Sequence, residues 1–110
     1  MARKRRIEIE DLFRLRTVTA ADVSPDGERI AFAVQRQDLA KNKTFSSLYL
    51  IPARGGRLRR LTRGDHADGA PRFSPDGRVL AFLSDRDKGR SVWLLPMEGG
   101  EPERLTDRDG

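Results

Sequence analysis

FSPDGRVLAF, at residues 73–82, is the second copy of a segment that stands fifty positions earlier, at residues 23–32, as VSPDGERIAF. A second pair of segments recurs forty-four positions apart, because YLIP at residues 49–52 is matched by WLLP at residues 93–96. The Gly-Gly and Arg-Leu-Thr that follow YLIP return at the same spacing. The chain therefore contains an internal repeat. Since the offset falls from 50 to 44, the first copy carries six extra residues between its matching segments.

The repeated Ser-Pro-Asp-Gly is typical of a tight turn between two antiparallel strands. Proline presets φ for the second turn position, aspartate bonds back to the backbone, and glycine accepts the left-handed conformation that follows a type I turn. After the turn, residues 30–34 and 80–84 place large apolar side chains at every second position, with alanine between them. This pattern favours strands that are covered on both faces.

Each repeat is long enough for four short strands. Residues 48–51 and 92–95 predict a third strand that stops at a proline, and the Gly-Gly pair allows a turn into a fourth strand. Four short strands in a repeat of 40 to 50 residues are typical of a β-propeller blade. The predicted fold class is therefore all-β: two four-stranded antiparallel blades of an incomplete β-propeller, preceded by a short N-terminal helix. The predicted strands are residues 17–23, 28–35, 48–52 and 58–62 in blade one, and residues 70–73, 78–84, 91–96 and 103–106 in blade two.

The helix prediction comes from the spacing of Ile9, Leu12 and Phe13 and from acidic residues in the first turn. We expect its apolar stripe to cover the side of the propeller. The predicted domains are a basic disordered arm (1–7), a short amphipathic helix (8–16), propeller blade 1 (17–63) and propeller blade 2 (64–110).

A blade buries its faces only against its neighbours, so we expect two blades to leave two large apolar faces open. The chain is then a fragment or a subunit that must assemble, and a fragment is our preferred interpretation.

Composition excludes several kinds of chemistry. The sequence has no cysteine, which excludes disulfides, thiol catalysis and cysteine-ligated zinc. The basic start lacks the apolar stretch of a signal peptide, and no apolar run reaches 18 residues. Residues 1–6 hold four of the five net positive charges, without the interleaved aromatic residues of single-strand binders. We therefore expect a cytoplasmic protein with no nucleic-acid or membrane partner.

Two places invite a functional interpretation. His66, the single histidine, lies between Asp65 and Asp68, and is either a metal ligand or catalytic base, or part of a polar connector between blades. A metal site needs three or four convergent ligands, which favours the connector. Residues 35–47 hold the insertion, predicted as a polar surface loop, and such loops often lie on the binding face. We assign no catalytic, cofactor-binding or metal-binding residue, and we expect no cofactor.

The repeat resembles the blades of TolB-like propellers and of the propeller domain of prolyl-oligopeptidase-family serine peptidases. The first segment, EDLFRLRTV at residues 10–18 followed by VSPDG, is similar to the start of acylaminoacyl-peptidase-like and dipeptidyl-aminopeptidase-like members. One departure is Pro71 in blade two, where blade one has Ala21.

The resemblance implies a non-catalytic propeller that gates access of oligopeptides to a separate α/β-hydrolase domain with a Ser-Asp-His triad. These 110 residues contain no Gly-x-Ser-x-Gly nucleophile elbow. Ser24 and Ser74 precede turns, where a capping role is expected. The implied partners are an oligopeptide substrate, the missing blades and the hydrolase domain. The alternative is a TolB-like interaction scaffold whose copies oligomerise to close a ring, for example three two-blade chains.

Overall fold

The computed structural model describes residues 6–87 and 89–105, which form one short helix and two four-stranded antiparallel sheets. In each sheet the strands lie side by side in chain order, so each sheet is a propeller blade. The predicted all-β fold class is confirmed. The elements are α1 (Ile9–Phe13), β1 (Val18–Val23), β2 (Arg29–Asp38), β3 (Lys43–Pro52), β4 (Arg59–Arg60), β5 (Gly69–Phe73), β6 (Val79–Ser84), β7 (Ser91–Pro96) and β8 (Glu103–Arg104).

The two Ser-Pro-Asp-Gly turns have the same hydrogen bonds. In blade one, the Ser24 hydroxyl donates to Asp26 Oδ1 at 2.6 Å and accepts from the Arg29 amide at 3.0 Å. Gly27 has a φ of 75°, and Gly77 in blade two has 73°. The hydrogen bond from the Ser24 hydroxyl, and after it the one from the Glu28 amide to Asp26 Oδ1 at 2.9 Å, lower the pKa of Asp26. The predicted turn is confirmed, and the hydroxyl of Ser24 is engaged in holding it.

The main core lies between the two blades. Blade one presents one face of β2 and β3, and blade two presents large side chains of β6 and β7, so the two sheets bury each other. Burying each such leucine or phenylalanine stabilises the fold by about 1.5 to 3 kcal/mol. The residues of this core are Ala31, Ala33, Leu48, Leu50, Leu80, Phe82 and Leu95, all at most 5% exposed.

The opposite face of blade one is covered by the N-terminal segment. Leu12 of α1 is buried in a second cluster with Ile30 and Phe32, and Ile7 packs against the same cluster. The amide of Ile7 also donates to the carbonyl of Ala53 at 2.7 Å. The predicted disordered arm is therefore wrong at its end: residues 6 and 7 are attached to blade one, whereas residues 1–5 lie outside the described residues.

The helix is shorter than predicted. It spans Ile9–Phe13 and not residues 8–16, because the chain turns at once towards β1: the amide of Val18 donates to the carbonyl of Leu15 at 3.1 Å. Leu12 is 8% exposed and Phe13 is 47% exposed, so Phe13 does not belong to the covering stripe. The helix does cover the side of blade one, as expected.

Among residues 6–87 and 89–105, one large apolar face therefore remains open, and the expectation of two is corrected. Because the N-terminal segment covers one face of blade one, the open face belongs to blade two, on the side of β6 and β7 that points away from blade one. Its apolar side chains are half-buried: Val79, Ala81, Leu83, Val92 and Leu94.

The insertion is a hairpin and not a loop. β2 and β3 continue pairing through Arg36 with Phe45 and out to Asp38 with Lys43, so only residues 39–42 reverse the chain. Asn42 adopts a φ of 54° in this reversal. Backbone hydrogen bonds extend the ladder through polar residues, and the buried Phe45 anchors it. The predicted loop at residues 35–47 is therefore wrong.

Pro71 lies at a bulge in the inner strand of blade two, and the inner strand of blade one has a bulge at the matching place without a proline, between Val18 and Ala20. The register of β5 against β6 shifts between Gly69 and Arg72, and Ala70 takes a φ of 49°. Proline has no amide hydrogen for the ladder, so it is accommodated at a bulge. The outer strands are also short, since β4 holds two residues of the predicted 58–62 and β8 two of the predicted 103–106.

Candidate functional site

The most prominent surface feature is the end of the β2–β3 hairpin, residues 35–47, which we call the hairpin arm. β1 pairs with β2 only as far as Val18 with Val34, so the arm extends beyond the four-stranded part of the sheet. It stands at the end where the inner strands β1 and β5 begin, opposite the two Ser-Pro-Asp-Gly turns. The arm is therefore placed beside the strands that border the axis of a propeller.

The arm is fixed to residues 63–68, the connector between the blades. Asp65 of the connector accepts a hydrogen bond from Lys41 Nζ at 2.6 Å and another from Arg36 Nη2 at 2.9 Å. The hydrogen bond from Lys41 has the larger effect and that from Arg36 the next, and together they lower the pKa of Asp65 to about 2. Asp65 in turn raises the pKa of Lys41. At the base of the arm, the Ser46 amide donates to the carbonyl of His66 at 2.9 Å. Ion pairs from Arg36 and Lys41 and a backbone hydrogen bond at Ser46 thus hold the arm against the connector.

Two hollows flank the arm and share the side chains of Gln35 and Thr44. The first has a volume of about 300 Å³ and the second about 400 Å³. The polar side chains that line these hollows, among the described residues, carry hydroxyl, amide and guanidinium groups, and none of them is a carboxylate. Such groups can bind the backbone or the carboxylate of an extended peptide. The other lining residues are Arg16, Thr17 and Gln37 in the first hollow, and Thr19, Ala20, Ser46, Ala67, Gly69, Ala70 and Arg90 in the second.

His66 lies in the connector, where its backbone carbonyl accepts the hydrogen bond from Ser46. The carboxylates beside it pair with cations, since Asp65 binds Arg36 and Lys41, and Asp68 Oδ2 binds Arg86 at 2.8 Å, while the buried Asp68 Oδ1 has no hydrogen-bond partner among the described residues. Within residues 6–87 and 89–105, no three His, Cys, Asp or Glu side chains are grouped to hold a metal ion.

A charged pair at the junction between the blades, Asp68 with Arg86, was not predicted from the sequence. Asp68 is 1% exposed, and its partner Arg86 lies between two aromatic rings, 5.3 Å from the centroid of Phe82 and 5.4 Å from that of Trp93. Nε of Arg86 also donates to the buried hydroxyl of Ser84 at 3.0 Å. This pair locks blade two against the connector. Asp68 and Arg86 are eighteen positions apart, and no repeating pattern in a single sequence indicates that two such residues will pair.

The serine hydroxyls are engaged in structural hydrogen bonds. Ser74 donates to Asp76 at 2.7 Å in its turn, as Ser24 does in the other. Ser46 donates to the carbonyl of Asp68 at 2.6 Å, and Ser47 accepts from Arg60 at 3.0 Å. These described serines thus make hydrogen bonds that hold the turns and strands of the fold. No helix in the described part of the chain is long and apolar enough to cross a membrane.

The chain matches the family model of the TolB beta propeller domain over residues 5–110 and belongs to that family. It is 33% identical over 105 residues to the uncharacterized peptidase YuxL of Bacillus subtilis, a match that covers 94% of this chain and 16% of the relative. The chain therefore spans about a sixth of the length of that relative.

Two solved structures are similar to the fold. The putative TolB from Agrobacterium tumefaciens has a TM-score of 0.65 at 28% identity, over 82% of this chain and 31% of that one. The acylaminoacyl peptidase from Pyrococcus horikoshii has a TM-score of 0.66 at 16% identity, over 84% of this chain and 14% of that one, which shows the fold alone. The predicted relationship to both TolB and peptidase propellers is confirmed.

Proposed function

We propose that these blades are the non-catalytic propeller portion of a cytoplasmic serine peptidase that acts on oligopeptides, and that they control access of the substrate to its hydrolase domain. The observation that carries the proposal is the match to a peptidase over 94% of the chain. A single alignment covers helix, both blades and the connector, so the likeness extends beyond one blade motif.

The open face of blade two supports the expectation of further blades. By the repeat, Leu94 of this face corresponds to Leu50 of blade one, which is 4% exposed because blade two covers it. Blade two thus presents to solvent the same kind of surface that blade one buries. A third blade of the same construction would cover it in the way that blade two covers blade one.

The hairpin arm supports the access role. Inner strands surround the central channel of a complete propeller, and the arm stands where β1 and β5 begin. The arm and its two hollows would then lie at one opening of the channel. Peptides that enter there would meet hydroxyls, amides and arginines, which bind peptide backbone and terminal carboxylates.

The test uses the protein encoded by the complete reading frame that contains these residues. A fluorophosphonate probe should label it at a serine, and it should hydrolyse a chromogenic dipeptide and a decapeptide. Replacing residues 36–45 by Asn-Gly, a two-residue hairpin turn, removes the arm while keeping the pairing of Gln35 with Ser46. We expect kcat/KM for the decapeptide to rise severalfold, with that for the dipeptide unchanged.

The matched control is Leu39→Ala, which trims an exposed side chain at the tip of the arm and should leave both substrates unaffected. Absence of serine labelling and of hydrolysis would overturn the peptidase proposal. Labelling with an unchanged ratio between the two substrates would overturn the access role of the arm alone. A discrete trimer of the 110-residue chain, with no serine labelling of the complete protein, would favour the ring-forming scaffold.

A further inference from the structure

The outer edges of the two blades carry opposite charges at matching positions of the repeat. We call residues 54–63 the blade-one edge and residues 98–105 the blade-two edge. The blade-one edge has five arginines and no acidic residue, and the blade-two edge has three glutamates and one arginine. At the offset of 44 that relates these segments, three arginines are each replaced by a glutamate: Arg54 by Glu98, Arg57 by Glu101 and Arg59 by Glu103.

All six of these side chains are exposed, and little within the molecule neutralises them. Arg54 lies 3.4 Å from Glu28, but its side chain is 75% exposed. Arg57 and Arg59, with three neighbours on the same edge, line an open hollow of about 420 Å³. Among the ion pairs of the described residues, none joins the two edges. Each edge thus presents its charge to solvent.

The same edges also present backbone and apolar groups. β4 pairs only with β3 and β8 only with β7, so the far side of each strand is unpaired within its sheet. Leu58 on the blade-one edge is 51% exposed and Leu105 on the blade-two edge is 53% exposed. An edge strand with free backbone groups is a template for pairing with another strand. Each edge therefore combines charge, an exposed leucine and an open ladder.

We propose that the two edges bind each other between copies of this chain, so that the blade-one edge of one molecule docks on the blade-two edge of a second molecule. The docked edges bring arginines opposite glutamates and the two exposed leucines into one contact. A two-fold axis makes the same contact twice, because each molecule supplies both edges. The partner chemistry is thus a second copy, selected by the charge reversal inside the repeat.

Three other uses of the charges predict different patterns. Charged residues protect edge strands against aggregation, because pairing with another strand would take the charge out of water, but such protection does not account for the reversal of sign at three matching positions. Opposite signs attract a second copy. A polyanion would account for the blade-one edge and leave the glutamates of the blade-two edge unexplained. Attraction within one molecule is the remaining alternative, since Arg63 and Glu101 line one hollow between the blades.

The test compares two charge-reversal variants of the 110-residue chain by sedimentation velocity. One carries Arg54→Glu, Arg57→Glu and Arg59→Glu, which makes both edges acidic. The other carries Glu98→Arg, Glu101→Arg and Glu103→Arg, which makes both edges basic. Each variant alone should be monomeric where the original chain dimerises, and an equimolar mixture of the two should associate again. A variant with all six changes should dimerise like the original.

Salt and a matched control separate this contact from association through the open apolar face of blade two. Screening shortens the range of charge interactions from about 10 Å in ~0.1 M salt to about 3 Å in ~1 M salt, so we expect dimerisation to weaken at least about tenfold. Association of apolar faces does not weaken with salt in this way. The control reverses three exposed cations away from the edges, Arg16→Glu, Lys43→Glu and Arg72→Glu, and should still dimerise.

Each remaining outcome contradicts the proposal. If a single charge-reversal variant dimerises as the original does, the edges do not bind each other. If both variants lose thermal stability while no form of the chain dimerises, the charges act between the blades of one molecule. If the original chain stays monomeric but binds duplex DNA through the blade-one edge, the partner is a polyanion.

Discussion

Gly77 shows how strongly a single residue constrains a blade. Its φ of 73° is the left-handed conformation, which costs a residue with a Cβ about 1 to 2 kcal/mol. Its carbonyl also accepts a hydrogen bond from Arg29 Nη2 at 3.0 Å, across the blade junction. We expect Gly77→Ala to lower the free energy of unfolding by about 1 to 2 kcal/mol in urea denaturation.

Gly69→Ala is the control for this substitution. The φ of Gly69 is not positive, and an added Cβ would come no closer than 4.0 Å to another side chain, that of Arg90. Its free energy of unfolding should change by no more than about 0.5 kcal/mol. Equal losses for the two variants would contradict the strain at Gly77.

The role of a residue was predictable from the sequence where it depends only on neighbours in the chain. Proline, aspartate and glycine each determine a turn through their own dihedral angles or hydrogen bonds, so the turn at Ser74–Gly77 followed from four letters. The pairing of Asp68 with Arg86 did not, because it depends on how the connector folds back over blade two. For the same reason the ion pair between Asp65 and Lys41 became visible only in the structure.

At the scale of elements, the N-terminal helix depends on one buried leucine. Leu12 is 8% exposed in the cluster that covers blade one, whereas the next residue, Phe13, is 47% exposed. Leu12→Ala leaves a cavity and loses apolar contact, so we expect a loss of about 2 to 4 kcal/mol in the free energy of unfolding. Urea denaturation measures this loss. Phe13→Ala should cost no more than about 0.5 kcal/mol, and a larger loss for Phe13 than for Leu12 would refute the observed docking.

The elements differ in how far the sequence determined them. β6 was predicted almost to its ends, because it follows the turn directly and its residues from Val79 to Leu83 are all apolar, with every second residue of the strand buried. The hairpin arm was mistaken for a loop, because its residues are polar and show no alternation of burial. What makes it a strand pair is the backbone ladder together with Phe45 beneath Arg36, whose guanidinium lies 5.0 Å from the ring centroid.

At the scale of the whole molecule, the repeat predicted the two blades but not which segment packs on the outer face of blade one. The N-terminal segment occupies the face of blade one that corresponds, in blade two, to the face packed on blade one. Arg6 even repeats the contact of Arg29, since each guanidinium donates to the glycine carbonyl of the turn that follows, at Gly27 and at Gly77. Any further blade that packs on this face of blade one, from the same chain or another copy, must displace the segment.

The open face of blade two leads to a matched pair of substitutions related by the repeat. Leu50, in blade one, is 4% exposed against blade two, and Leu94, at the corresponding position of blade two, is half-buried with no third blade over it. A lysine at position 50 would bring an unpaired charge into the core, so we expect Leu50→Lys to cost at least about 3 kcal/mol. Leu94→Lys keeps its ammonium in solvent and should cost less than about 1 kcal/mol.

Urea denaturation of the two variants measures this difference, and solubility of the folded chain gives a second readout. Leu94→Lys interrupts an exposed apolar patch, so the variant should remain soluble at higher concentration than the original chain. If Leu94→Lys were as destabilising as Leu50→Lys, the face would already be packed within the molecule and would have no place for another blade. If it were harmless in the 110-residue chain but disrupted the complete protein, position 94 would be the place where a third blade docks.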